Sequence, residues 1–249
     1  MSYNFLSSKG VLRLSLIFKQ LFERESCTFT YLIADSKTKE AAIVDPVDIM
    51  IERDTALLKE LELDLKFIIE THIHADHITS ACPLKKYYPK ARIVIGMENI
   101  DAEACSDIMV SEGHILKIGN FEITTIETPG HTIGCMSYLV ENKLLTGDAL
   151  FIRSTGRCDF QGGSAESLYA SIQKLFKLPD STEVYPAHDY NGLSVSTIGE
   201  EKKFNSMIRE SFDQETFIEN VNSLDLGLPK KIKVAVPANQ SCGLIAEKV

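Results

Sequence analysis

The stretch THIHADHITS, Thr71 to Ser80, sets His72, His74, Asp76 and His77 within six residues. It follows LKFIIE, a short apolar run that reads as a buried strand, and precedes a run from about Ile78 to Tyr88 that reads as a helix. His72 and His74 are two apart, so an extended backbone carries both imidazoles to one side. Asp76 and His77 come as the chain turns into the helix. One histidine alone is usually a surface or hydrogen-bonded residue. Four donors in six residues reverse that reading, because imidazole and carboxylate together are ligands for a transition ion.

Further along, three more donors each arrive at the end of a strand. His131 lies in TPGHT, where Gly130 permits a sharp turn. Asp148 lies in LLTGDAL and His188 in VYPAHDY. Asp148 alone could be a turn residue, but in this order with the others it reads as a ligand. His114, in SEGHIL, has no such context and is expected on the surface.

The rest of the chain supplies a frame for these donors. VLRLSLIF, CTFTYLIAD and KEAAIVDP read as an opening hairpin or meander, followed by a helix from about Met50 to Leu63. After the cluster come a strand ARIVIG, a meander through HILKIGNFEITTIETPG, CMSYLVE and KLLTGDAL, a helix near Ala165 to Lys177, and the strand TEVYPAHD. The last fifty residues read as helical, in STIGEEKKFNSMIRE and DQETFIENVNSL, before an extended tail KIKVAVPANQ. Strands recur on both sides of helices with no Gly/Ser linker. The expectation is one domain over residues 1–249, of the α/β (α+β) class, with two sheets face to face and helices outside.

With 249 residues and 44% hydrophobic content the chain has ample material for a core. A formal charge of -9 argues against nucleic acid or an anionic membrane surface as a general partner. The N-terminal MSYNFLSSKGVLRLSLIF shows no basic leader, cleavage site or membrane-length apolar span, so the expected location is cytoplasmic. Six cysteines are scattered without CxxC pairs, which suggests reduced thiols rather than a disulfide framework or zinc ribbon.

In sequence order, HIHADH, PGHT, GDAL and PAHD resemble the metallo-β-lactamase superfamily, whose αββα sandwich carries metals at the sheet edges. That resemblance implies two possible sites, one from His72, His74, His131 and a shared Asp148, the other from Asp76, His77, His188 and Asp148. Hydrolases of this design use two zinc-like ions to polarise a carbonyl and generate hydroxide.

A narrower resemblance changes the expected metal use. AAIVDPV, THIHADHITS, PGHTIGCMSY, TGDALFIR, GRCDFQGGS, VYPAHDY and VAVPANQSCG, with further segments between Gln20 and Gly243, are similar to persulfide dioxygenases. That family resembles glyoxalase II but implies a single Fe(II) per chain, held here by His72, His131 and Asp148, with zinc competing by availability. His74, Asp76, His77 and His188 would then orient the ligands and bound water. The implied partners are glutathione persulfide and O2, with sulfite and glutathione as products; a homodimer is also implied.

The same resemblance puts Arg157, in STGRCDF, and Tyr190 in the substrate pocket, with Asp76 beside them in catalysis. Cys242, in NQSCG, matches a cysteine near that pocket, though an inert buried thiol fits the sequence equally. Human-type members carry GCGRTDF, whereas this chain has Thr155 in place of the cysteine two residues before the arginine. The rival readings are a dinuclear thioester hydrolase of the glyoxalase II kind and a sulfur-sensing scaffold without turnover.

Overall fold

A computed structural model describes residues 15–244. The first sheet takes its strands in chain order: β1 (Leu16–Glu23), β2 (Thr28–Asp35), β3 (Glu40–Val44), β4 (Asp64–Ile69), β5 (Arg92–Gly96) and β6 (Ile108–Val110). The second sheet runs β12 (Ser196–Thr197), β11 (Glu183–Pro186), β10 (Lys143–Gly147), β9 (Met136–Val140), β8 (Phe121–Glu127) and β7 (Ile115–Ile118). In the first sheet β1, β2 and β3 are antiparallel, while β3 to β6 are parallel. In the second, only β10 and β11 are parallel.

Side-chain alternation explains the layering. On β2, Phe29, Tyr31 and Ile33 point between the sheets, where they meet Ile118, Phe121, Ile123, Tyr138 and Leu145 of the second sheet. Leu32 and Ala34 of the same strand point outward. There they pack with Leu58 of α1 (Ile51–Glu60) and Leu84 of α2 (Ala81–Tyr87). The second sheet's outer face is covered by Leu168, Ile172 and Leu175 of α3 (Ala165–Leu175) and Phe217 and Val221 of α5 (Gln214–Asn222). Strands buried on both faces read as continuous apolar runs, which is why CTFTYLIAD lacks alternation. The result is the αββα sandwich expected from the sequence. Among the described residues, no helix is long and apolar enough to cross a membrane.

The expected helices appear as α1, α2, α3, α5 and a short α4 (Ile198–Phe204). Ser164, Thr197 and Asp213 cap α3, α4 and α5 by accepting from the third following backbone N–H. The expected opening strand VLRLSLIF is found from Leu16 and continues to Glu23; residues 11–14 of that expectation lie outside the described range. The tail KIKVAVPANQ is a correction: it is not extended, and Ile232–Asn239 form a helix, α6. Ala235, Ala238 and Asn239, spaced by three and four, are buried, so tertiary docking of one helical face overrides the β-branched alternation of Ile232, Val234 and Val236.

The cysteines bring a second correction. Cys105 and Cys242 are joined by a disulfide across 137 residues, while Cys27, Cys82, Cys135 and Cys158 are free. The expectation of wholly reduced thiols therefore fails for that pair.

Candidate metal centre

All the donors sit just beyond strand ends on one rim of the sandwich. β4 ends at Ile69 and delivers the loop Glu70–Ser80; β8 is followed by His131, β10 by Asp148, and β11 by His188. Backbone hydrogen bonds hold these loops to their neighbours: Met136 N–H donates to Thr71 O at 2.8 Å, Ala187 N–H to Gly147 O at 3.1 Å, and Phe29 N–H to Ala187 O at 2.7 Å. Gly130, at φ 143°, is required by close approach, since a Cβ there would lie 2.4 Å from the backbone of Leu168.

His72, His131 and Asp148 converge, with one donor atom from each lying within 4.8 Å of the others, and all three residues are buried. A second convergence joins His74, Asp76 and His77, and a third joins Asp45, Glu70 and His74. His188 lies between the first two groups, its Nε2 3.5 Å from Asp148 Oδ1 and 3.7 Å from Asp76 Oδ2.

Hydrogen bonds fix which ring nitrogen faces the centre. His131 Nδ1 donates to the Arg157 carbonyl at 2.7 Å, leaving Nε2 3.4 Å from Asp148 Oδ2. Thr71 Oγ1 donates to Asp45 Oδ2 at 2.9 Å and so accepts from His72 Nδ1, also at 2.9 Å. His188 Nδ1 donates to the Cys27 carbonyl at 3.3 Å. Each of these imidazoles therefore carries its proton on the outward nitrogen, the usual arrangement around a metal. His74 is turned the other way, with Nε2 3.1 Å from Asp45 Oδ1 and 3.5 Å from Glu70 Oε2. Asp76 accepts from Thr28 Oγ1 at 3.2 Å and from His77 Nδ1 at 2.9 Å.

The electrostatics follow from burial and neighbours. Burial pushes the His72 pKa well below the ordinary imidazole value, and His74 and His131 push it further, so its ring is neutral and free to coordinate. Burial opposes protonation of His74, but the Asp45, Glu70 and Asp76 carboxylates outweigh it and raise its pKa well above the usual value. Burial would raise Asp76, yet His77, His188 and His74 hold it well below the ordinary carboxylate range.

His74 Nδ1, His77 Nε2 and Asp148 Oδ1 are buried without a hydrogen-bond partner. An unpartnered buried polar atom costs about 1–3 kcal/mol, so this donor set fits a bound cation.

The centre opens into a cleft of about 730 Å³. Phe151, Phe160 and Tyr190 supply its aromatic wall, and Arg157, Lys230 and Lys231 its cations. Tyr190 is 67% exposed and stacks on His188 with ring centroids 5.9 Å apart. The Arg157 guanidinium spans Asp159, at 2.5 Å through both Nε and Nη2, and the carbonyls of Leu226 and Gly227 at 3.0 and 2.6 Å. Cys242 does not line the cleft: 4% exposed, it is bonded to Cys105 and packs with the outer face of the first sheet. His114 is exposed, as expected. Asp45, Glu70, Thr71, Thr28 and Asn239 were not legible as site residues: Glu70 and Thr71 adjoin the histidine cluster but are of ordinary type, and Asp45, Thr28 and Asn239 each stand in a distant segment.

The model of the metallo-beta-lactamase superfamily matches residues 28–102 and 110–188. The chain is 41% identical to the mitochondrial persulfide dioxygenase ETHE1 of Mus musculus over 242 residues, covering 96% of this chain and 93% of the relative. Identity to the Homo sapiens counterpart is likewise 41%, with the same coverage. The crystal structure of ETHE1 from Myxococcus xanthus superposes with a TM-score of 0.88 at 42% identity, covering 92% of this chain and 100% of that one. Matching fold, near-complete coverage and identity above two in five thus agree: the chain belongs to the metallo-beta-lactamase superfamily and, within it, to the persulfide dioxygenase family.

Proposed function

We propose that this persulfide dioxygenase is a mononuclear iron enzyme acting on glutathione persulfide. The balanced reaction takes the persulfide, O2 and water to glutathione, sulfite and two protons, with the sulfane sulfur oxidised and O2 reduced. The observation that carries the reading is the buried group His72, His131 and Asp148, whose donor atoms lie within 4.8 Å. Two imidazoles and one carboxylate are the donor set of non-heme Fe(II) oxygenases, and a ferrous ion, when bound, supplies the redox activity this oxidation needs.

The chain's own residues do the rest. Thr71 and the Arg157 carbonyl hold the outward protons of His72 and His131, keeping both rings aimed inward. Phe151 and Phe160 exclude water from one wall. Arg157, Lys230 and Lys231 put cations on the cleft wall for the two carboxylates of a glutathione moiety, Arg157 and Lys231 being held there by Asp159 and Glu25. Arg157 couples the two regions, since its side chain lines the cleft while its carbonyl holds a metal ligand. Tyr190 offers a phenol at the mouth beside His188.

One observation favours a second reading. His74, Asp76 and His77 also converge, and with His188 they could complete a dinuclear hydrolase site. Metal analysis of protein purified without added metal separates the two. Near one iron per chain supports the dioxygenase with a single ion, and two zinc-like ions per chain support the hydrolase.

A further inference from the structure

We propose that Asn239, the last residue of α6, is a positioning residue for the metal loop, and that the Cys105–Cys242 bridge holds it in place. Asn239 is 3% exposed, and its side-chain hydrogen bonds go to backbone groups. Its Nδ2 donates to the carbonyls of His74 at 2.9 Å and His77 at 2.8 Å, and its Oδ1 accepts from Thr79 N–H at 2.9 Å. The loop from Thr71 to Ser80 has no regular strand or helix to satisfy its backbone, so these buried groups need partners from elsewhere. A carboxamide is the side chain that gives two N–H donors and one acceptor at once. One side chain thereby pins three backbone groups across six residues that carry Asp76 and the imidazoles of His74 and His77.

The segment after α6 is anchored on both sides. Gly243, at φ 88°, lies so close to the loop that a Cβ there would sit 2.0 Å from Thr79 O. Cys82 N–H donates to Cys242 O at 2.9 Å, Gln240 Nε2 donates to Asp101 Oδ2 at 2.7 Å, and Cys242 is bonded to Cys105. The covalent link therefore lies three residues beyond the clamp. It joins the segment Ile100–Cys105 to the turn that directly follows the helix ending in Asn239.

Asn239→Asp keeps the size but, in place of the Nδ2 that donates to both, sets a carboxylate oxygen against the His74 and His77 carbonyls. The inference rests on the loop being a metal loop and not on the reaction catalysed, so its test reads metal rather than turnover. The Co(II)-loaded protein is mixed with excess chelator, well below its melting temperature, while the visible Co(II) bands are followed. Removing a partner that orients ligands typically costs about 10–100-fold in metal affinity. Asn239→Asp is expected to release cobalt faster by a factor in that range with altered band positions, and Cys105→Ser by a smaller factor with the bands retained. Where Asn239→Asp does not fold, Asn239→Ala carries the same readouts. Wild-type release and spectrum in the folded Asn239 variant overturn the positioning role, and wild-type release in Cys105→Ser overturns the part given to the bridge.

Discussion

His131 Nδ1 donates its proton to the carbonyl oxygen of Arg157 at 2.7 Å, so a residue on the cleft wall sets the tautomer of an inward-facing imidazole. The bond comes from the Arg157 backbone, and side-chain substitution there leaves it in place. Removing the guanidinium takes away the grip on Asp159 and on the 226–227 carbonyls, but not the orientation of His131. Arg157→Ala is therefore expected to retain metal at the wild-type level while kcat/KM for the persulfide falls about tenfold or more, the worth of a charge-assisted hydrogen bond. Steady-state kinetics beside metal analysis check this, and unchanged kinetics remove Arg157 from substrate handling.

Asp148 is the only carboxylate in the group with His72 and His131. Asp148→Ala leaves two imidazoles and no carboxylate to offset a divalent ion. Metal content after purification is expected to fall to near zero, with persulfide turnover lost. Near-normal iron in this variant removes Asp148 from the ligand set.

The Asp45–Thr71–His72 relay gives a subtler prediction. Thr71→Val keeps the shape but deletes the hydroxyl between Asp45 Oδ2 and His72 Nδ1, both 2.9 Å away. The fold should persist, because Thr71 N–H still donates to Asp45 Oδ1 at 2.7 Å. Metal affinity, measured by competition with a chelator, is expected to drop about 10–100-fold.

A pH-dependent contribution is expected where the two sheets meet. Asp35, at the end of β2, accepts from Lys37 N–H, Asn120 N–H and Asn120 Nδ2, bonds of 2.8, 2.9 and 2.6 Å. Burial would raise its pKa, but these donors outweigh it and hold the carboxyl below the ordinary 3.8. A carboxylate depressed in the folded state contributes stability that is present above 3.8 and is lost as pH falls through the lower folded value. Asp35→Asn should cost about 1 kcal/mol at neutral pH, and the gap from wild type should close below pH 3.8. Urea midpoints across that range measure it.

The donors that converge on this rim were legible because each announces itself locally: four in THIHADHITS, then PGHT, GDAL and PAHD at strand ends. The layering was legible because β2 and β4 are apolar runs of strand length. KIKVAVPANQ misled because a short alternating run carries no information about the surface that receives it, and here buried Ala235, Ala238 and Asn239 decide for helix. The Cys105–Cys242 bridge spans 137 residues with no spacing motif, so only the folded chain brings its sulfurs together. Asp45, Glu70 and Asn239 stayed hidden for the same reason. Their partners are 26, 9 and more than 160 residues away.

The most direct test of the account is O2 consumption by anaerobically purified, Fe(II)-loaded protein on addition of glutathione persulfide, with sulfite assayed in the same vessel. The account predicts O2 loss and sulfite gain in equal amounts. No O2 uptake, with iron confirmed in the protein, would contradict it and turn the same donors over to thioester hydrolysis.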